Sequence, residues 1–210
     1  KKNYKEALIH LESIIKANPG SSENYNFKGI ILQSLNLSEE ARESWLKAIK
    51  LKNDNYDAYY NIANSYMSEK KYDLAKENYK KSIEINSKNF KAFFNLGRLC
   101  LITKEYHLAL ENFTFAKKLN DGYAPCYYNI GFVLNKLGKK NDAIVFFEKS
   151  LRIDDKYLDA IYAIGITYRE LKKFNNAKKY LSRLLELNKE SEYLKGAYFS
   201  VCNSLCDWKD

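Results

Sequence analysis

The chain is 210 residues long, 46% hydrophobic and 29% charged, and 35 Lys and Arg against 26 Asp and Glu give it a formal charge of +9. That apolar share excludes a disordered polyelectrolyte, which cannot bury enough surface to offset chain entropy. Only 2 prolines are present, which suits long uninterrupted helices. No apolar run approaches the roughly 20 residues that cross a bilayer; Ala160 to Tyr168 is about the longest, and no membrane partner is expected. The polar start, Lys1 to Glu6, is unlike a secretory leader, and the absence of an initiator Met reads as a piece of something longer. Cys100, Cys126, Cys202 and Cys206 form neither a CxxC pair nor a disulfide framework, so a reducing, cytoplasmic setting is expected. Cys202 and Cys206 lack two further ligands nearby, and neither a metal nor a cofactor is expected.

Along the chain the dominant signal is self-similarity. Ala7, Ala41, Ala75, Ala109, Ala143 and Ala177 recur every 34 residues, and Gly29, Ala63, Gly97, Gly131 and Gly165 keep the same period. An aromatic-rich series, Tyr25, Tyr59, Phe93, Tyr127 and then Ile161, precedes the small residues. A bulky series follows each alanine by four: Leu11, Trp45, Tyr79, Phe113, Phe147 and Leu181. Each unit reads as two helices. Phe93, Leu96, Gly97 and Cys100 mark one helical face over Phe90 to Thr103, and Tyr106, Ala109, Leu110, Phe113 and Ala116 mark another over Tyr106 to Leu119. Pro125 stands just inside the next helix start, where its missing N–H costs little. Gly138 stands just past a helix end, where a left-handed cap suits glycine. The internal glycines each cost about 1 kcal/mol of helix propensity relative to Ala, which predicts a partner helix too close for a larger side chain.

These residues resemble the tetratricopeptide repeat family. Phe93-x2-Leu96-Gly97-x2-Cys100 with Ala109-x3-Phe113 follows the family pattern, with Cys in the Tyr place. Tyr59-x2-Ile62-Ala63-x2-Tyr66 with Ala75-x3-Tyr79 follows it too. The repeat-ending Pro survives only as Pro19; Asn53, Ser87, Asp121, Asp155 and Lys189 replace it. The resemblance implies an all-α, right-handed superhelical solenoid of antiparallel helix pairs. In chain order it implies the second helix of a truncated repeat within 1–21 and five full repeats over 22–55, 56–89, 90–123, 124–157 and 158–191. A terminal capping helix over 192–210, a possible junction to a missing C-terminal domain, completes the division.

In such solenoids the first helix of each repeat lines a concave groove, so the resemblance points to that face for a protein or peptide partner. Asn61, Asn95 and Asn129 lie on it at the repeat period, interrupted by Phe27 and Ala163. Tyr60, Phe94, Tyr128 and Tyr162 run beside them, and Asn64, Arg98 and Phe132 stand one turn further. An Asn amide both donates and accepts, so it can pair with the C=O and N–H of a peptide bond whatever the ligand's side chains. The alternatives are solvation of the helix surface, bridging between neighbouring repeats, and aromatic packing between repeats. Chaperone-tail-binding members grip a carboxylate with Lys and Arg on this face, but Tyr60 and Pro125 stand where two Lys belong and Asn129 where the Arg belongs.

The closing Cys206-Asp207-Trp208-Lys209-Asp210 resembles the junction in O-GlcNAc-transferase-like glycosyltransferases of family 41, whose asparagine ladder the Asn row also resembles. That resemblance implies catalysis outside this sequence. Within it no catalytic residue is proposed: His10 and His107 have no partner, and no phosphate loop, G-x-S-x-G or HExxH occurs. Helical repeats also read RNA. Here the paired lysines, such as Lys80-Lys81 and Lys178-Lys179, fall mostly on turns and second helices with Glu69, Glu77, Asp142 and Glu170 interspersed, so nucleic acid is not the expected partner.

Overall fold

The computed structural model describes the backbone of residues 2–187 and 192–205, and the side chains of 3–187 and 195–205. Among the described residues every regular element is an α-helix. The chain divides into two compact units, Lys1–Thr103 and Lys104–Asp210. Unit 1 holds α1 (Lys2–Ala17), α2 (Ser22–Ser34), α3 (Ser38–Leu51), α4 (Tyr56–Ser68), α5 (Tyr72–Ile85) and α6 (Phe90–Ile102). Unit 2 holds α7 (Tyr106–Leu119), α8 (Ala124–Lys136), α9 (Lys140–Ile153), α10 (Leu158–Glu170), α11 (Phe174–Leu187) and α12 (Glu192–Leu205). None is long and apolar enough to cross a membrane.

Each unit is a run of antiparallel helix pairs, the solenoid fold expected from the sequence. The pairing is pinned from both ends of a pair. Ser22 Oγ, at the start of α2, donates to the Ala48 carbonyl near the end of α3 at 2.9 Å. In unit 2 the same bond runs the other way, from Ser150 Oγ late in α9 to the Ala124 carbonyl that opens α8, at 3.0 Å. Helix starts are capped where the sequence supplies a short polar side chain: Ser21, Asn55 and Asn89 accept from the backbone N–H of Asn24, Ala58 and Ala92. Tyr123 and Tyr157 hold the same period positions before α8 and α10 and make no side-chain cap.

The turn between paired helices recurs too. Asn36, Lys70, Lys104, Gly138 and Lys172 have φ of 67°, 59°, 62°, 79° and 57°. Around these left-handed residues the next N–H reaches back to close the helix, as from Leu37 to the Leu32 carbonyl at 3.0 Å and from Lys139 to the Leu134 carbonyl at 2.9 Å. Gly138 pays no Cβ penalty there, whereas each lysine does.

The predicted close approach is present. A Cβ built on Gly131 would lie 2.7 Å from Phe147 and 2.9 Å from the Ala143 carbonyl oxygen. On Gly165 it would lie 2.8 Å from Leu181, and on Gly29 it would collide with the Trp45 indole. The bulky residue therefore lies over the small one in these three helix pairs. Ala41, Ala75, Ala109, Ala143 and Ala177 are wholly buried. At the end of unit 2, Tyr198, Val201 and Cys202 of α12 pack on Ala177 and Leu181 of α11, while Phe199 faces outward, about half exposed.

Candidate functional site

In unit 1 the amide row is a set of bridges between successive helix pairs. Asn61 of α4 donates through Nδ2 to Asn26 Oδ1 of α2 at 3.0 Å. One repeat on, Asn95 of α6 donates through Nδ2 to both the Tyr60 hydroxyl and Asn64 Oδ1 of α4, each at 3.0 Å. The Tyr79 hydroxyl of α5 donates to the same Asn64 Oδ1 at 2.6 Å. Four polar groups from three helices thus form one chain, Tyr60–Asn95–Asn64–Tyr79. The Tyr79 ring has no exposed surface, and burial pushes its hydroxyl pKa well up, so it remains protonated at neutral pH.

Three of the four, Asn64, Tyr79 and Asn95, line a cleft of about 350 Å³ together with Met67, Ser68 and Arg98. Arg98 is exposed at the rim. A neighbouring hollow of about 220 Å³ shares Asn64 and Ser68 and adds Ile30, Gln33 and Asn61. There Gln33 Oε1 is buried without a hydrogen-bond partner. Its Nε2 is used on Ser38 Oγ at 3.3 Å. Phe94 sits beside Asn95 and is half-buried; Phe27, in the row position of α2, is 57% exposed and interrupts the amides as expected.

Unit 2 treats the same positions differently. Asn129 Nδ2 folds back onto its own helix, donating to the Pro125 carbonyl at 2.8 Å. Tyr128 packs against Phe147 of α9, Phe132 of α8 and Tyr157 before α10, with ring centroids 5.7, 6.2 and 5.4 Å away. Where unit 1 has Tyr79, Asn64 and Arg98 at the period positions, this wall has Phe147 and Phe132. The aromatic row here packs neighbouring helix pairs together.

The sequence flagged Asn61, Asn64, Asn95, Tyr60 and Arg98, which unit 1 gathers around one polar floor, but not Tyr79 or Asn26. By spacing Tyr79 belongs to the core series, and its ring lies there; the signal for more is that it alone of that series carries a hydroxyl. Asn26 stands in the period position of Tyr60 and Phe94, a polar residue in an otherwise aromatic row.

Other chemistry is sparse. His10 and His107 are both exposed, and among the described residues no His, Cys, Asp and Glu cluster could hold a metal ion. Cys100, Cys126 and Cys202 are buried, and burial alone pushes the Cys126 thiol up to about 12. Several lysines are paired off at the surface, as Lys81 with Glu77, Lys71 with Glu69 and Lys140 with Glu170. The Cys206 to Asp210 tail lies outside the described residues.

Models of the tetratricopeptide repeat match residues 56–89, 78–111, 124–157 and 158–191, and a further TPR repeat model matches 34–68. Among solved structures the chain is similar to YrrB, described as a TPR protein with an unusual peptide-binding site, with 24% identity, a TM-score of 0.76, and coverage of 89% of this chain and 96% of that one. It is similar to the MamA protein at 24% identity and a TM-score of 0.73, covering 80% and 92% of the two chains. It is also similar to pilF of Pseudomonas aeruginosa at 20% identity and a TM-score of 0.77, covering 89% and 85%. At these identities the likeness is one of fold. No curated protein matches the chain.

Proposed function

Because this chain belongs to the tetratricopeptide repeat family, we propose that it is a protein-interaction scaffold that binds an extended peptide or protein segment, and that its binding floor is the polar cleft of unit 1. The division into a truncated repeat at 1–21, five full repeats over 22–191 and a terminal cap is part of this reading, as is a reducing, cytoplasmic setting. The observation that carries it is the Tyr60–Asn95–Asn64–Tyr79 chain. Asn64 Oδ1 accepts twice and Asn95 Nδ2 donates twice, so the groups left for a ligand are Asn64 Nδ2 and Asn95 Oδ1. One donor beside one acceptor matches the C=O and N–H of a passing strand. Arg98 adds a cation at the rim and Phe94 an apolar surface nearby. YrrB, with the same fold, is itself described as carrying a peptide-binding site.

A role as the recruiting part of a family 41 glycosyltransferase rests on the five-residue tail and the Asn row alone; the family models that match are all of the repeat itself. The scaffold reading needs no downstream catalysis. The test is calorimetric titration with acetylated, amidated twelve-residue peptides of Ala, Ser, Val and Thr. Wild type binds, and Asn95→Ala with Asn129→Ala binds more weakly, while helical circular dichroism is kept. Equal affinity, or no binding by wild type, overturns the reading. Binding confined to oligonucleotides and lost steeply with salt would put the protein among RNA-binding repeats instead.

A further inference from the structure

The four-membered chain in the unit 1 cleft has a property that a single Asn lacks. Both of its ends are tyrosine hydroxyls, and a hydroxyl donates or accepts equally well. In the arrangement described, the Tyr79 hydroxyl donates to Asn64 Oδ1 at 2.6 Å. Asn95 Nδ2 donates to Asn64 Oδ1 and to the Tyr60 hydroxyl at 3.0 Å. Turn both amides over and every bond survives with its direction reversed. Asn64 Nδ2 then donates to the Tyr79 hydroxyl and to Asn95 Oδ1, and the Tyr60 hydroxyl donates to Asn95 Oδ1. The heavy-atom spacings serve both directions. What changes is the face shown to the cleft: donor at Asn64 with acceptor at Asn95 in the first state, acceptor at Asn64 with donor at Asn95 in the second.

We propose that this chain is a reversible relay that lets the cleft read a ligand's backbone amide in either strand direction, with Tyr60 and Tyr79 as the positioning residues that keep both states available. This rests on the peptide-binding reading above. The two tyrosines act in opposite senses. Without the Tyr79 hydroxyl, the first state keeps Asn64 Oδ1 bonded to Asn95, whereas the second leaves a part-buried Asn64 N–H facing a phenyl edge. Without the Tyr60 hydroxyl, the first state strands an Asn95 N–H and the second keeps Asn95 Oδ1 bonded to Asn64. A stranded donor in a part-buried site costs more than an acceptor with one lone pair unused. Tyr79→Phe therefore favours the first state and Tyr60→Phe the second. Unit 2 lacks the relay, with Phe147 at the Tyr79 position and Asn129 folded onto Pro125.

The experiment pairs one of the peptides named above, acetylated and amidated Ala-Ser-Val-Thr repeats twelve residues long, with its retro-inverso counterpart in D-residues. The counterpart presents similar side chains on reversed amides. Wild type is expected to bind both within about twofold. Tyr79→Phe and Tyr60→Phe are expected to shift the affinity ratio by about fivefold in opposite directions, the worth of roughly one hydrogen bond. A purely structural role for either ring would lower both affinities together and leave the ratio unmoved, and the proposal would fail. Wild type binding only the natural peptide overturns the relay and leaves the scaffold reading standing; wild type binding neither overturns both. Melting curves of the two variants identify any loss that belongs to folding.

Discussion

In unit 1 the bulky residue four places after the period alanine is Tyr79, and its hydroxyl reaches Asn64 across the pair. In unit 2 the residue at that place is Phe147, and it meets Tyr128 instead. The helical frame is the same: Gly131 lies under Phe147 as Gly29 lies under Trp45. Two period positions, Tyr79 against Phe147 and Asn64 against Phe132, therefore separate a wall knit by amides from a wall knit by rings. The repeat dictates where side chains point, and the local residue decides whether that point is a polar floor or an apolar seam.

The largest expected effect attacks what the units share. Gly131→Leu must displace Phe147 or the Ala143 carbonyl, so urea unfolding should show a loss of about 3 kcal/mol; an unchanged midpoint would contradict the close approach. Next, Phe147→Tyr transplants the unit 1 hydroxyl into unit 2. No amide awaits it, because Phe132 stands where unit 1 has Asn64, and a loss of about 1–2 kcal/mol is expected. Tyr79→Phe should cost less, since Asn64 Oδ1 keeps Asn95. If Phe147→Tyr proves harmless and Tyr79→Phe severe, the contrast is misread.

Binding should divide the units in the same way. Asn95→Ala is expected to weaken the Ala-Ser-Val-Thr peptide about tenfold, near 1.4 kcal/mol, and Asn129→Ala by less than about twofold, both read by calorimetry. Equal losses would mean that the amide of unit 2 is used despite its bond to Pro125. The smallest effect concerns the turns. Lys172→Gly relieves a left-handed lysine and should stabilise unit 2 by about 0.5 kcal/mol, the strain relieved less the extra chain entropy of glycine. Gly138→Ala should move the other way, and thermal melts of the two variants check the pair.

Much of the frame was legible because it rests on spacing. The internal glycines predicted where paired helices come close, and Gly138 predicted its own left-handed cap. The site was legible only as a face. Period arithmetic put Asn61, Asn95 and Asn129 in one row, but a row does not say where an amide points. Pro125 made the difference at Asn129: its carbonyl lies one turn back along the same helix and captures the side chain. Tyr79 went unread because its ring satisfies a core pattern that Phe and Leu satisfy equally well, and only the partner of its hydroxyl reveals the second role.

The most direct measurement is a titration of isotope-labelled protein with the same peptide, following the side-chain NH2 signals of asparagine by NMR. The account predicts that Asn64 and Asn95 shift together in a saturable manner while Asn129 stays in place. Saturable shifts at Asn129 with Asn64 and Asn95 unmoved would contradict it.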